Sequence, residues 1–223
     1  MSDVLDRLSD ADLVRAAGRG EPDAFRQLYE RKHHRVQRIA YQMLGDRGAA
    51  EDVTQEAFVA LWRNCRRYRT RFAVDAWLTR IATNKAIDRW RNDRRHPIPL
   101  GERPGATGTE RQSTARSVAP AGVTTETAAQ LLPADHLADP SLAIRWEEVQ
   151  RIWNELAAEL PERQRAAFVL REIEDLPVRD VAAALGCSTS TVRSHVALAR
   201  RELRHGIRTR YPEYAAVVAD DHD

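Results

Sequence analysis

The chain has 223 residues, of which 43% are apolar and 30% charged. That balance excludes a wholly disordered chain, and at roughly 150 residues per domain the length suits one large domain or two small ones. No apolar run approaches the ~18 residues that span a bilayer. The opening MSDVLDRLSDADL is too acidic and polar for a secretory signal, and Cys65 and Cys187 alone cannot build a disulfide framework or a four-cysteine zinc site. A soluble cytoplasmic protein without membrane insertion is expected.

The formal net charge of +2 hides a polarised chain. Residues 23–95 carry 17 Lys and Arg against 9 Asp and Glu, a local +8. Residues 96–143 sum to −2, residues 144–190 to −3 and residues 191–205 to +3. Two basic clusters in separate places point to an extended polyanion as partner.

In chain order, Ser9 and Asp12 fit a capping box that opens a short helix ending near Gly18. Pro22 sits at a first helical position, and Phe25, Leu28, Tyr29, Val36, Ile39, Ala40 and Met43 recur at helical spacing until Gly45. Asp46 can cap a third helix that runs to about Asn64. A loop over 65–73 carries Arg66, Arg67, Arg69 and Arg71, interleaved with Tyr68 and Phe72. A fourth helix places Val74, Trp77, Leu78 and Ile81 on one face and ends in Arg94, Arg95 and His96 before Pro97.

Residues 97–139 are rich in Pro, Thr, Gly and Ala and read as a linker, with too little apolar surface to offset ordering entropy. Asp139 and Pro140 then open a helix with an apolar stripe of Val149, Ile152, Trp153, Leu156 and Leu160. Pro161 starts another that should bury Ala167, Leu170 and Ile173. In 175–204, Val178, Val181, Ala182 and Leu185 form a short helix and Gly186 a sharp turn. Ser188 or Thr189 caps the following helix, which buries Val192, Val196, Ala199 and Leu203. Its other face presents Ser190, Arg193, Ser194, Ala197, Arg200 and Arg201. That pattern is a helix-turn-helix with thin side chains for groove entry and arginines for guanine edges or phosphates. The expected fold is all-α, with two small helical domains (23–96 and 140–205) joined by the flexible linker 97–139. An acidic segment (1–22) and a tail (206–223) flank them.

Residues 160–203, LPERQRAAFVLREIEDLPVRDVAAALGCSTSTVRSHVALARREL, resemble region 4 of the sigma-70 family of bacterial transcription initiation factors. AEDVTQEAFVALW (50–62) is similar to that family's core-polymerase-binding helix, and AWLTRIATNKAIDRWRNDRR (76–95) resembles its promoter −10 helix. With region 2 and region 4 separated only by a linker, the resemblance is to the two-domain extracytoplasmic-function group. It implies a factor that binds core RNA polymerase and directs it to promoters by their −10 and −35 elements.

Residue by residue, the resemblance implies that Asp52, Gln55, Glu56, Phe58 and Trp62 dock the β′ clamp helices, while the β flap of the polymerase is a second contact. Arg69, Thr70, Arg71 and Phe72 would line the pocket for a flipped −10 base, with Asn84, Lys85, Asp88, Arg91, Arg94 and Arg95 on the following helix. Arg171, Ser190, Thr191, Arg193, Ser194, Ala197 and Arg200 match the −35 contacts, although His195 and Ala197 depart from the family's usual larger or basic residues. An anti-sigma factor is the family's usual partner. No Gly-rich phosphate loop, metal-spaced His/Cys cluster or nucleophile motif is present, so neither catalysis nor a cofactor or metal is expected. A DNA-binding regulator that never joins the polymerase would account for 175–204 but leave 50–95 unexplained.

Overall fold

The computed structural model describes residues 5–68, 73–95 and 140–215. The first domain holds α1 (Asp10–Gly18), α2 (Pro22–Leu44), α3 (Arg47–Asn64), a 3₁₀ turn over Cys65–Arg67, and α4 (Val74–Arg95). The second holds α5 (Pro140–Ala157), α6 (Glu162–Phe168), α7 (Val178–Leu185) and α8 (Thr189–Arg210). No strand occurs among the described residues.

Local chemistry sets the helix ends. The Ser9 hydroxyl accepts the amide of Asp12 at the start of α1, and the Asp46 carboxylate accepts the amide of Ala49 at 2.7 Å at the start of α3. Gly45 closes α2 in the left-handed conformation (φ 70°), its N–H donating to the carbonyl of Tyr41. Cys65, buried beneath the turn after α3, has its thiol pushed up to about 11 by desolvation, which makes it a packing residue rather than a nucleophile.

Leu13, Val14, Leu28, Phe58, Leu61 and Leu78 form the core of the first domain. Leu28 is wholly buried. Leu28→Ala is expected to destabilise the chain by about 2–5 kcal/mol, seen as a lower urea midpoint with an unchanged slope. An unchanged midpoint would show that α2 repacks around the deletion.

In the second domain, Leu156, Leu160, Ala199, Leu203 and Tyr211 cluster where α5 crosses α8. A Cβ at Gly206 would fall 2.6 Å from Cδ2 of Leu156, so a larger residue there would have to displace the Leu156 side chain. Two apolar expectations are corrected here. Val149 is 48% exposed and Ile173 is 37% exposed. For Ile173 the cause is a π-helical turn over Val169–Ile173, closed by the Glu174 amide on the Val169 carbonyl at 2.9 Å. The wider turn rotates Ile173 off the apolar face.

The two domains pack against each other. Ile39, Met43 and Ile87 share one buried cluster with Ala166, Leu170, Val181 and Leu185. The Trp153 indole N–H donates across the boundary to the carbonyl of Gln42 at 3.1 Å.

Candidate functional site

Three surfaces hold the described residues that were singled out from the sequence. The first lies on α3, where Asp52, Gln55 and Glu56 project outward around a groove of about 570 Å³ with Val59, Arg63 and Lys85. Trp62 is 41% exposed and meets Phe25 edge-on at 4.8 Å. Phe58 differs from the other four. It is only 3% exposed and packs against Tyr29 at 4.7 Å, so it supports the face from below. Val59, 47% exposed, belongs to the same patch and was not singled out from the sequence. Its position three residues beyond Glu56 was the available signal.

The second surface is α4. Asn84 and Asp88 are exposed. The ammonium of Lys85 donates to Glu56 at 2.7 Å, and Arg89 lies 3.6 Å from Asp52. These exposed pairs are worth about 0–1 kcal/mol, so an incoming partner can replace them at little cost. Arg91 places Nε and Nη2 on one oxygen of Glu162 in the second domain, at 3.1 and 3.0 Å. Arg94 donates to the carbonyl of Ala158 at 2.7 Å. The side chain of Arg95, together with Arg69, Thr70, Arg71 and Phe72, lies outside the described residues. Next to that loop, Tyr68 stacks on Trp77 at 5.5 Å. The two rings line a cavity of about 340 Å³ with Asn64, Arg67, Arg80 and, from α7, Ala183. Aromatic rings edged by cations are suited to unstacked bases.

The third surface is the helix-turn-helix. Gly186 takes a left-handed conformation (φ 63°) between α7 and α8, and of the two possible caps it is the Ser188 hydroxyl that accepts the amide of Thr191. Half-buried Cys187 packs against the apolar cluster beneath this turn. Ser190, Arg193, Ser194, Ala197 and Arg200 are exposed, and Thr191 is partly so. Arg193 makes no ion pair among the described residues, whereas Arg200 is bound to Glu172 and Arg171 to Asp175 at 2.8 Å. Of the predicted −35 cations, Arg193 is therefore the one with no carboxylate partner among the described residues.

Comparisons with known proteins bear on the family and the fold. The family profile Sigma-70 region 2 matches residues 28–96, and Sigma-70, region 4 matches residues 150–203. Two helical domains in that order define a sigma-70 factor, which directs RNA polymerase to promoters to initiate transcription. The RNA polymerase sigma-H factor of Pseudomonas aeruginosa is 29% identical over 204 residues, spanning 90% of this chain and 94% of its own length. The ECF RNA polymerase sigma factor SigM of Mycobacterium tuberculosis is 32% identical over 196 residues, spanning 87% of this chain and 83% of its own. The chain belongs to the ECF, or extracytoplasmic-function, family of RNA polymerase sigma factors. Its fold is shared with CnrH, solved in complex with the cytosolic domain of CnrY (TM-score 0.59, 23% identity, 90% of this chain and 98% of that chain). It is shared too with RpoE of Bartonella quintana, solved with the anti-sigma factor NepR (TM-score 0.54, 20% identity, 83% of this chain and 98% of that chain).

Proposed function

We propose that Asp52, Gln55, Glu56, Val59 and Trp62 dock the β′ clamp helices of core RNA polymerase, with Phe58 holding the face rigid. The cavity at Tyr68 and Trp77 lies next in sequence to Arg69, Thr70, Arg71 and Phe72, and these four residues, outside the described ones, receive a −10 base. Asn84, Lys85, Asp88, Arg91, Arg94 and Arg95 guide the single strand, and Ser190, Thr191, Arg193, Ser194, Ala197 and Arg200 read the −35 duplex, with Arg171 on its phosphates. The second domain also meets the β flap. The observation that carries this reading is the placement of an outward acidic and aromatic face on α3 directly beside a cation-rich α4, with a separate exposed recognition helix on α8.

The chain acts by binding and not by catalysis. It works in the cytoplasm, and no described helix is long and apolar enough to cross a membrane. An anti-sigma factor is its regulatory partner, as the anti-sigma factor NepR accompanies one of the two structural relatives. Run-off transcription with core polymerase on a promoter library tests the function. Initiation from a defined subset of promoters, absent with core enzyme alone, is the expected result. Indiscriminate or undetectable initiation would overturn it.

A further inference from the structure

The cavity at Tyr68 and Trp77 has a chemistry of its own. Its described walls come from Asn64 at the end of α3, Arg67 and Tyr68 at the 3₁₀ turn, Trp77 and Arg80 on α4, and Ala183 on α7. They hold two cations and no carboxylate. The groove beside Asp52 and Glu56 is the opposite case, since its acids face its cations within the same walls.

Three kinds of group in these walls are left for a ligand. Tyr68 and Trp77 lie 25° from parallel with centroids 5.5 Å apart, and both are half-buried against the core of the first domain. The two rings already touch, so a further planar ring extends the stack from its open side. Because packing holds the platform in place, little ordering is needed on binding. Arg67 and Arg80 are exposed and hold no carboxylate among the described residues, whereas Lys85, Arg89 and Arg91 on the same helix as Arg80 each do. Asn64 commits its Nδ2 to the Ala60 carbonyl at 2.7 Å, which leaves its Oδ1 as an acceptor.

A stacking platform, two unanswered guanidiniums and an amide acceptor match the three parts of a nucleotide: an aromatic ring, a phosphate and an exocyclic amine. The volume of about 340 Å³ lies at the small end of the range for small-molecule sites, where one nucleotide fits. Ala183 adds an uncharged wall from the second domain, so a ligand here touches both domains.

We propose that this cavity binds a free mononucleotide whose base carries an exocyclic amine. The ring stacks on Tyr68 and Trp77, the phosphate meets Arg67 and Arg80, and the amine donates to Oδ1 of Asn64. The site is separate from the docking groove on α3 and does not depend on how α4 meets promoter DNA. A nucleotide within a DNA strand offers the same chemistry. The volume of one nucleotide and a wall drawn from the second domain favour the free molecule.

The probe is AMP, titrated calorimetrically into the full chain. Saturable binding at one site is expected. UMP, which lacks the exocyclic amine, and inorganic phosphate, which lacks the ring, should each bind about tenfold or more weaker. Arg80→Ala removes a phosphate ligand, and Ala183→Glu sets a carboxylate at the opposite wall. Both positions are exposed, so the thermal midpoint without ligand should hold while AMP affinity falls by about tenfold or more. Trp77→Phe keeps a ring for the core, and should bind AMP but lose the quenching of tryptophan emission that stacking produces. Absence of saturable AMP binding, equal binding of UMP or phosphate, or unchanged affinity in Arg80→Ala or Ala183→Glu would overturn the proposal. A single-stranded deoxyadenosine oligonucleotide should not displace AMP at equal nucleotide concentration. Displacement would assign the cavity to the DNA strand and overturn the free ligand.

Discussion

Arg193→Ala is expected to abolish selective binding to the −35 duplex while leaving the affinity for core polymerase intact. The expectation rests on three properties of the position. Arg193 is exposed in the first turns of α8, its guanidinium holds no carboxylate among the described residues, and its neighbours Ser190, Ser194 and Ala197 are thin enough for the helix to enter a major groove. A bidentate arginine–guanine pair contributes about 1–3 kcal/mol of discrimination, or about fivefold to more than a hundredfold. Arg200→Ala should do less, because the free chain already commits that side chain to Glu172. The measurement is a competition between a selected promoter and a scrambled −35 duplex. Equal selectivity in the natural chain and the Arg193 variant would remove Arg193 from base readout. A uniform loss on every sequence would make it a phosphate contact instead.

Trp62→Ala should weaken binding of the free chain to core polymerase by about 2–4 kcal/mol, roughly thirtyfold to nearly a thousandfold, as truncation of an aromatic anchor does at a protein interface. Trp62 is 41% exposed and rests on Phe25, so removing it trims the surface without opening the core. Far-ultraviolet circular dichroism and the thermal midpoint should change little, and duplex binding through α8 should be unaffected. Phe58→Ala cannot serve the same purpose. Phe58 is buried, and its loss would lower affinity by unfolding the face it supports. Core affinity unchanged by Trp62→Ala would place the docking surface elsewhere on the first domain.

Much of this architecture was legible residue by residue. The caps at Ser9, Asp46 and Ser188 and the left-handed glycines at 45 and 186 are short-range devices, closed within four residues, and they sit where the side-chain chemistry anticipates. The exposed faces of α3 and α8 follow from 3.6-residue periodicity, which is why Val59 could have been found and why Asp52 and Glu56 point outward together. Periodicity failed at Ile173, because one π-helical turn adds a residue to the count and the apolar pattern carries no mark of it.

By itself, then, the sequence determined the helices, the helix-turn-helix and the family, because each is written in local spacing and in motifs longer than any one element. The tertiary structure decided which of those groups are free. Arg38 and Glu174, Arg91 and Glu162, and Trp90 and Arg165 are separated along the chain by 136, 71 and 75 residues. Nothing in the neighbourhood of either partner signals such a pairing, since it depends on two helix faces meeting through a shared apolar cluster. A charge read along the chain is only a supply of cations, and burial together with the nearest carboxylate determines whether each is available to DNA.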